Sequence, residues 1–373
     1  MGLIDVAGQV RQGEELDIVA VEHWLKAQGI DVQGQVALTQ YSGGASNWTY
    51  RLQYDNHDLI LRRPPHGTKA KSAHDMAREY RIQNALADIY PVVPKMIALC
   101  QDESVIGCDF YVMNRIEGII PRAKLPIELE LNETDVQLLC RNSIDKLIEL
   151  HQIDYQQTDL VDLGKGEGYC ERQVLGWDTR YEKAKTINVP SFRIVREWLK
   201  SHIPQDSQSC LIHNDWRMDN LILNPHQPTE IIGVLDWEMA TIGDPLMDLG
   251  CALAYWIEST DSTLFKSTRR QPTHLQGMFT RKEVVAYYLE KTGIKPENWT
   301  FYEVFGIFRL AVIAQQIYYR YFHEQTTNPA FKDFWIIVHA LHLRALKLIG
   351  QHTWDESEIP EKYLTILKGF LKS

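Results

Sequence analysis

The sequence predicts an α+β protein of two lobes: a small N-terminal lobe with an antiparallel sheet plus a helix, and a larger, mainly helical C-terminal lobe. Three observations predict it. In residues 1–113, short apolar runs read as strand, strand, strand, helix and further strands, punctuated by turns rich in glycine, asparagine and proline. Beyond Asn114 the apolar spacing becomes that of long helices. Eight of the ten tryptophans lie beyond residue 170, so the second part can bury a large core of its own. A length of 373 residues suits two domains or one fold of two lobes.

Residues 15–28 carry Leu16, Val19, Val21, Trp24 and Leu25 near helical spacing and stop at Gly29. Residues 35–41 and 48–54 read as strands joined by the small turn Ser42-Gly43-Gly44-Ala45-Ser46-Asn47, which makes a hairpin. A third strand, residues 59–63, is stopped by Pro64-Pro65. Its alternation places Ile60 and Arg62 on one face, Leu61 and Arg63 on the other. Ser72 and Asp75 have capping-box spacing for a helix reaching about Ala87. Residues 110–113 read as a buried strand. The lobes are then residues 1–113 and 119–373, with a hinge at 114–118. In the large lobe, Thr134 and Gln137 are spaced to open a helix through His151. Helical patterns recur over residues 192–202, 282–292, 301–322 and 331–348.

Composition narrows the function. Apolar residues make up 45% and charged residues 24%, as in ordinary globular proteins. Lys plus Arg total 39 against 49 for Asp plus Glu, a formal net charge of −10. That balance excludes a general nucleic-acid binder and gives no attraction to anionic membranes. Six cysteines contain no Cys-x-x-Cys pair, which argues against a zinc site and for reduced thiols. The first residues lack a signal-peptide pattern, and apolar runs such as 249–257 are about half of a bilayer span. The expectation is a cytoplasmic protein without nucleic-acid or membrane partners, its oligomeric state left open.

The chemistry concentrates in Leu211-Ile212-His213-Asn214-Asp215-Trp216-Arg217-Met218-Asp219-Asn220-Leu221-Ile222-Leu223, where two apolar runs bracket a polar loop. A second apolar run, residues 231–235, delivers Asp236, Trp237 and Glu238. A carboxylate (Asp215), an amide (Asn220) and a second carboxylate (Asp236) on adjacent loops suit a magnesium–nucleotide site, because magnesium takes hard oxygen ligands and few protein carboxylates. Zincin, serine-elbow and Walker-type phosphate-loop motifs are absent from the sequence.

His213-x-Asp215-x4-Asn220 followed by Leu235-Asp236-Trp237 resembles the aminoglycoside/choline phosphotransferase branch of the kinase-like superfamily, whose usual loop reads His-Gly-Asp-x4-Asn. The resemblance implies a two-lobed protein-kinase-like fold that uses ATP and Mg2+. It makes Asp215 the acceptor of the substrate hydroxyl's proton and Asn220 and Asp236 the magnesium ligands. Ser42, Gly43, Gly44, Ala45, Ser46 and Asn47 would cover the nucleotide. Ile60 would touch the base, Arg62 would stand where the third-strand lysine is expected, and Glu79 would be its helix partner. Met113, Asn114 and Arg115 would form the interlobe hinge. His213, Glu238 and Asp248 would support the site, Glu238 as a second metal contact and Asp248 behind the loop.

Leu61-Arg62-Arg63-Pro64-Pro65, Arg78-Glu79-Tyr80 and Gly168-Tyr169-x2-Arg172-Gln173-x3-Trp177-x3-Tyr181 are similar to a subgroup of phosphotransferase domains found alone or fused to acyl-CoA dehydrogenase domains. That subgroup carries arginine at the lysine position. Gln173, Trp177 and Tyr181 share one helical face and either line an acceptor pocket or pack. The reading is a Mg-ATP-dependent phosphotransferase acting on a small-molecule hydroxyl, with a hydroxyacyl-CoA as one acceptor class. Two alternatives stand beside it: a kinase of an amino alcohol, sugar or aminoglycoside, and a non-catalytic nucleotide-binding module. Only Arg62 in place of lysine favours the last.

Overall fold

Asp17 caps the first helix, its carboxylate accepting the N–H of Ala20, and α1 (Ile18–Ala27) buries Val21 and Leu25. The computed structural model describes residues 5, 7–41, 47–65, 75–351 and 359–371. After α1 come β1 (Ala37–Gln40), β2 (Trp48–Gln53), β3 (Asp58–Arg63), α2 (Met76–Leu86), β4 (Met96–Cys100), α3 (Glu103–Ile106) and β5 (Phe110–Asn114). The five strands form one antiparallel sheet in the order β1-β2-β3-β5-β4. Strand alternation sorts its faces. Leu59 and Leu61 join Tyr50, Leu52, Phe110, Val112 and the α1 side chains in one cluster. Ile60 joins Tyr111, Met113, Met96 and Met76 of α2 in another, on the face that also carries Arg62.

Helix α2 is capped by Asp75, whose carboxylate accepts the N–H of Arg78; Ser72, read as part of a capping box, lies outside the described residues. Its far end, Ile82 and Leu86, enters the core of the large lobe, so α2 ties the lobes together.

The large lobe holds α4 (Glu133–His151), α5 (Tyr169–Ala184), α6 (Arg193–Ser201), β6 (Cys210–Ile212), β7 (Leu221–Leu223), β8 (Ile231–Val234), β9 (Thr241–Gly243) and α7 (Pro245–Ala254). These are followed by α8 (Thr263–Ser267), α9 (Arg281–Thr292), α10 (Trp299–Phe322), α11 (Phe334–Leu348) and α12 (Glu361–Leu371). The start of α4 corrects the Thr134–Gln137 expectation: Asn132 caps the helix and forms a capping box with Asp135, a pair with the same spacing two residues earlier. Two small antiparallel pairs, β6–β9 and β7–β8, frame the polar loop. Every residue of α7 is buried. It lies backbone to backbone against α10, because a Cβ at Gly306 would strike the carbonyl of Gly250. This close seat fixes the position of Asp248 beneath the loop. Among the described residues no helix is long and apolar enough to cross a membrane.

Candidate active site

Strands β6 and β7 deliver the polar loop, residues 213–220, into the cleft, and α7 holds it from below. The N–H groups of His213 and Asn214 donate to the two carboxylate oxygens of Asp248, each at 2.8 Å. His151, ending α4, places Nε2 3.1 Å from the same carboxylate and Nδ1 2.7 Å from the Tyr288 hydroxyl. Burial pushes the Asp248 carboxyl up, but His151, His213 and the loop N–H outweigh it and hold it below the ordinary carboxylate range.

The His213 ring is wholly buried; its Nδ1 lies 3.3 Å from the Asp215 N–H and its Nε2 3.0 Å from the Leu235 carbonyl. The Nε2–H tautomer satisfies both contacts, so His213 links the loop to the strand that carries Asp236. Asn214 sits at φ 64°, the left-handed region. Asparagine tolerates that region, and its side chain donates to the Met239 carbonyl at 3.1 Å.

Three predicted residues converge at the mouth of this loop. Asn220 donates through Nδ2 to the Asp215 backbone oxygen at 2.9 Å and to its Oδ2 at 3.1 Å. The Leu235 N–H donates to the Asn220 carbonyl at 2.8 Å, bringing Asp236 alongside. Asp236 also has positive φ, 68°, which turns its carboxylate into the cleft before the short turn Trp237–Met239.

Arg62 reaches down from β3 into this group. Its Nη1 lies 3.1 Å from Glu79 of α2, and its Nη2 lies 2.7 Å from Asp236 and 3.6 Å from Glu238. One cation thus serves three carboxylates. Burial pushes the Glu79 carboxyl up while Arg62 works against that, and Asp236 is held low chiefly by Arg62 in spite of its burial. The Nε of Arg62 is buried without a hydrogen-bond partner, whereas Glu79 is held by Arg62 and by the Tyr111 hydroxyl. Excess negative charge beside the oxygen donors of Asn220 and Asp236 is an arrangement that fits a hard divalent cation.

Around this centre the expected nucleotide contacts divide. Ile60 and Met113 lie together on the cleft face of the sheet. Asn47 donates to Glu238 at 3.1 Å; Ser42, Gly43, Gly44, Ala45 and Ser46 lie outside the described residues. Glu238 is therefore a contact between lobes, held by Asn47 and Arg62, while Arg78 donates to the Glu238 and Ala240 carbonyls. In the hinge, the N–H groups of Asn114 and Arg115 donate to the Lys95 and Asp58 carbonyls at 2.9 and 3.0 Å. The Arg115 side chain binds Asp58, Glu117 and Tyr41 and so fastens the hinge.

Residues 37–283 match the phosphotransferase enzyme family. The chain belongs to that family. This phosphotransferase is 36% identical over 312 residues to acyl-CoA dehydrogenase family member 10 of Mus musculus, an alignment covering 83% of the chain and 29% of the mouse protein. It spans well under half the length of the curated relatives it matches. A solved Ralstonia eutropha structure assigned to the aminoglycoside phosphotransferases superposes with a TM-score of 0.76 at 27% identity, covering 91% of this chain and 100% of that one. An aminoglycoside phosphotransferase solved in ternary complex with streptomycin and ATP shares the fold, with a TM-score of 0.55 at 17% identity over 90% of this chain and 99% of that one. The fold of the phosphotransferase is accordingly kinase-like.

The residues expected on the acceptor side separate. Tyr181 is fully buried, its ring against Phe192 and Phe308 and its hydroxyl donating to the Pro190 carbonyl, so it is core. Gln173 accepts from Trp177 Nε1 at 3.1 Å. The Trp177 ring lies under Arg309, 5.3 Å away, and Arg309 donates to the Asn214 carbonyl at 2.8 Å. One helical face thus runs from the loop into the core, and depth distinguishes its members. Sequence reasoning gave no role to Arg309 or Arg217, and the contact of Arg78, quoted in the small-lobe motif, with the Glu238 and Ala240 carbonyls was not read from it. A charged residue within the apolar run of α10 was the available cue for Arg309; its contact across 95 positions was not.

Proposed function

We propose that this phosphotransferase moves the γ-phosphoryl group of Mg-ATP to a hydroxyl of a small molecule. The observation that supports it best is the convergence of Asp215, Asn220 and Asp236 on a loop braced by Asp248, opposite an Arg62–Glu79 pair from the other lobe. In this reading Asp215 orients the acceptor hydroxyl and takes its proton. Arg62 turns from Asp236 toward the phosphates, using a fork that suits phosphate oxygens. Asn220 and Asp236 would hold Mg2+, which supplies charge neutralisation on the phosphates. Positioning and electrostatics carry such a transfer, and the buried brace under Asp215 provides the positioning.

The acceptor class we favour is a hydroxylated acyl thioester. The support is the name of the mouse relative, which belongs to an acyl-CoA dehydrogenase family, and the cations Arg217 and Arg309 near Asp215, which suit a cationic aminoglycoside or amino alcohol poorly.

Asp215→Ala is expected to lower phosphoryl transfer by roughly 100- to 10,000-fold, the contribution of a positioned base, with nucleotide binding retained. Asp236→Ala is expected to remove the magnesium dependence of nucleotide binding, read by calorimetric titration. Full turnover by Asp215→Ala would overturn the assignment. A screen of hydroxyacyl-CoA, amino-alcohol, sugar and aminoglycoside acceptors with excess MgATP identifies the acceptor.

A further inference from the structure

Residues 262–280, spanning α8 and the loop that leads to α9, carry Lys266, Arg269 and Arg270 and no Asp or Glu, in a chain of net charge −10. The loop is pinned from within by two polar side chains that are each 2% exposed, Gln271 and Thr273. Gln271 Oε1 accepts the Met218 N–H of the catalytic loop at 2.7 Å, and its Nε2 donates to the Tyr255 carbonyl at 3.1 Å. The Thr273 hydroxyl donates to the Ile257 carbonyl at 2.9 Å and accepts the Ile257 N–H at 3.1 Å. Beside this anchor, Arg270 brings its Nε to 4.0 Å from Asp219 of the catalytic loop. The basic stretch is therefore held in place against the loop that carries Asp215.

Two of its basic groups are left without an acceptor. Arg269 Nε and His274 Nδ1 are both buried and neither has a hydrogen-bond partner. The charged neighbour of His274 is Arg269, and burial together with that cation pushes the imidazole pKa below its ordinary value. Arg62 and Arg344 also bury a nitrogen without a hydrogen bond, but both lie among carboxylates. Arg62 pairs with Glu79 and Asp236, and Arg344 lies in the field of Asp261, Glu303 and Glu258. Among the described residues Arg269 has no such counterpart; its neighbour is a second basic group. Adjoining basic side chains with buried nitrogens and no acceptor are completed by an anion.

The donors indicate which anion. A guanidinium presents a fork that matches phosphate oxygens, and an imidazole takes up a proton when negative charge arrives beside it. The absence of Asp and Glu from residues 262–280 removes the repulsion that would reject a dianion. We propose that Arg269 and His274, with Arg270 on the catalytic-loop side, form a binding site for a phosphate group outside the nucleotide cleft. That phosphate has two sources: the far end of the acceptor, since the coenzyme A part of an acyl thioester carries phosphates, or a free phosphate compound that acts as a regulator. The first source rests on the acceptor reading above; the site itself does not. Gln271, next to Arg270 in the chain, joins the site to the Met218 N–H and so to the catalytic loop.

The test is calorimetry on the full chain with saturating MgADP in the nucleotide site, at constant ionic strength, with coenzyme A and inorganic phosphate as probes. The parent is expected to bind at least one probe, Arg269→Gln to lose about tenfold or more in that affinity, and Arg269→Lys to recover part of it. Lys282→Gln, the same loss of charge at an exposed position of α9, is expected to bind as the parent does. Coenzyme A binding far tighter than inorganic phosphate assigns the site to the acceptor, and Arg269→Gln should then raise the KM for a hydroxyacyl-coenzyme A at unchanged kcat. Equal binding of the two probes assigns it to a free phosphate compound. No binding of either probe by the parent at millimolar concentration, parental affinity in Arg269→Gln, or an equal loss in Lys282→Gln overturns the site. Should Arg269→Gln fail to fold, Arg270→Gln, whose side chain is 70% exposed, decides by the same criteria. Asp215→Ala separates this inference from the transfer reading, because probe binding is read without turnover. A fully active Asp215→Ala rejects the transfer and leaves the site standing, whereas an inactive Asp215→Ala beside parental probe affinity in Arg269→Gln rejects only the site.

Discussion

The two walls of the cleft hold their charges by opposite means. On the large-lobe wall, Asp248 is buried in α7 and its oxygens accept from two loop N–H groups at 2.8 Å, with His151 and Tyr288 behind it. That wall is complete without a ligand. On the small-lobe wall, Arg62, paired with Glu79, meets Asp236 and Glu238 across the gap, its ion pairs spanning 2.7 to 3.6 Å and its buried Nε left without a hydrogen bond. That wall is complete only when something replaces the pairs. The difference separates two tasks: the large lobe preorganises the reacting residues, and the small lobe exchanges protein charge for ligand charge.

The largest expected effect comes from breaking the finished wall. Asp248→Ala leaves the His213 and Asn214 N–H groups and the His151 ring stranded in the core, a loss of about 3–5 kcal/mol of folding stability. Denaturant unfolding measures it, and a loss under about 1 kcal/mol would dissolve the contrast between the walls. The sign with pH follows from the depressed carboxyl. A carboxyl held low in the folded state contributes fully above its ordinary range, and the contribution disappears as pH falls through the folded value. The parent should therefore lose stability more steeply than Asp248→Asn on acidification below about pH 4.

A smaller effect, of a different kind, is expected on the open wall. Lysine at position 62 keeps the charge but cannot bridge Glu79 and Asp236 at once. Arg62→Lys should weaken MgADP binding by about tenfold, near 1.4 kcal/mol, and change folding stability by less than that. Calorimetric titration and unfolding on the same sample sharpen the comparison. Loss of stability with unchanged nucleotide affinity would place Arg62 among the structural residues and reverse the roles of the walls.

The chain order made part of this visible in advance. Asp215, Asn220 and Asp236 are near in sequence, and flanking apolar runs mark the strands that present them, so the loop could be read from spacing. The sheet was legible for the same reason, since strand alternation separates Ile60 and Arg62 from Leu61. What the spacing did not carry is contact over distance. Arg309 touches the loop from 95 positions away, and Arg78 crosses from α2 to the Glu238 and Ala240 carbonyls. Local capping was ambiguous for another reason: Asn132–Asp135 and Thr134–Gln137 share one spacing, and only the hydrogen bonds choose between them. At the start of α7 Asp244 is the cap, which frees Asp248 to face the loop.

Depth along α5 gives the smallest prediction and the finest one. Gln173, Trp177 and Tyr181 share a face, yet Trp177 reaches the loop through Arg309 whereas Tyr181 reaches only Phe192, Phe308 and the Pro190 carbonyl. Tyr181→Phe removes one hydroxyl and leaves the ring packing in place, so it should cost about 1 kcal/mol in unfolding and leave turnover and nucleotide affinity at parental values. A change in KM for the acceptor, with stability intact, would mean that the pocket extends to this depth and that the preorganised wall is open where its packing is closed. Unchanged kinetics with lowered stability would set the inner limit of the acceptor side between Trp177 and Tyr181, one helical turn apart.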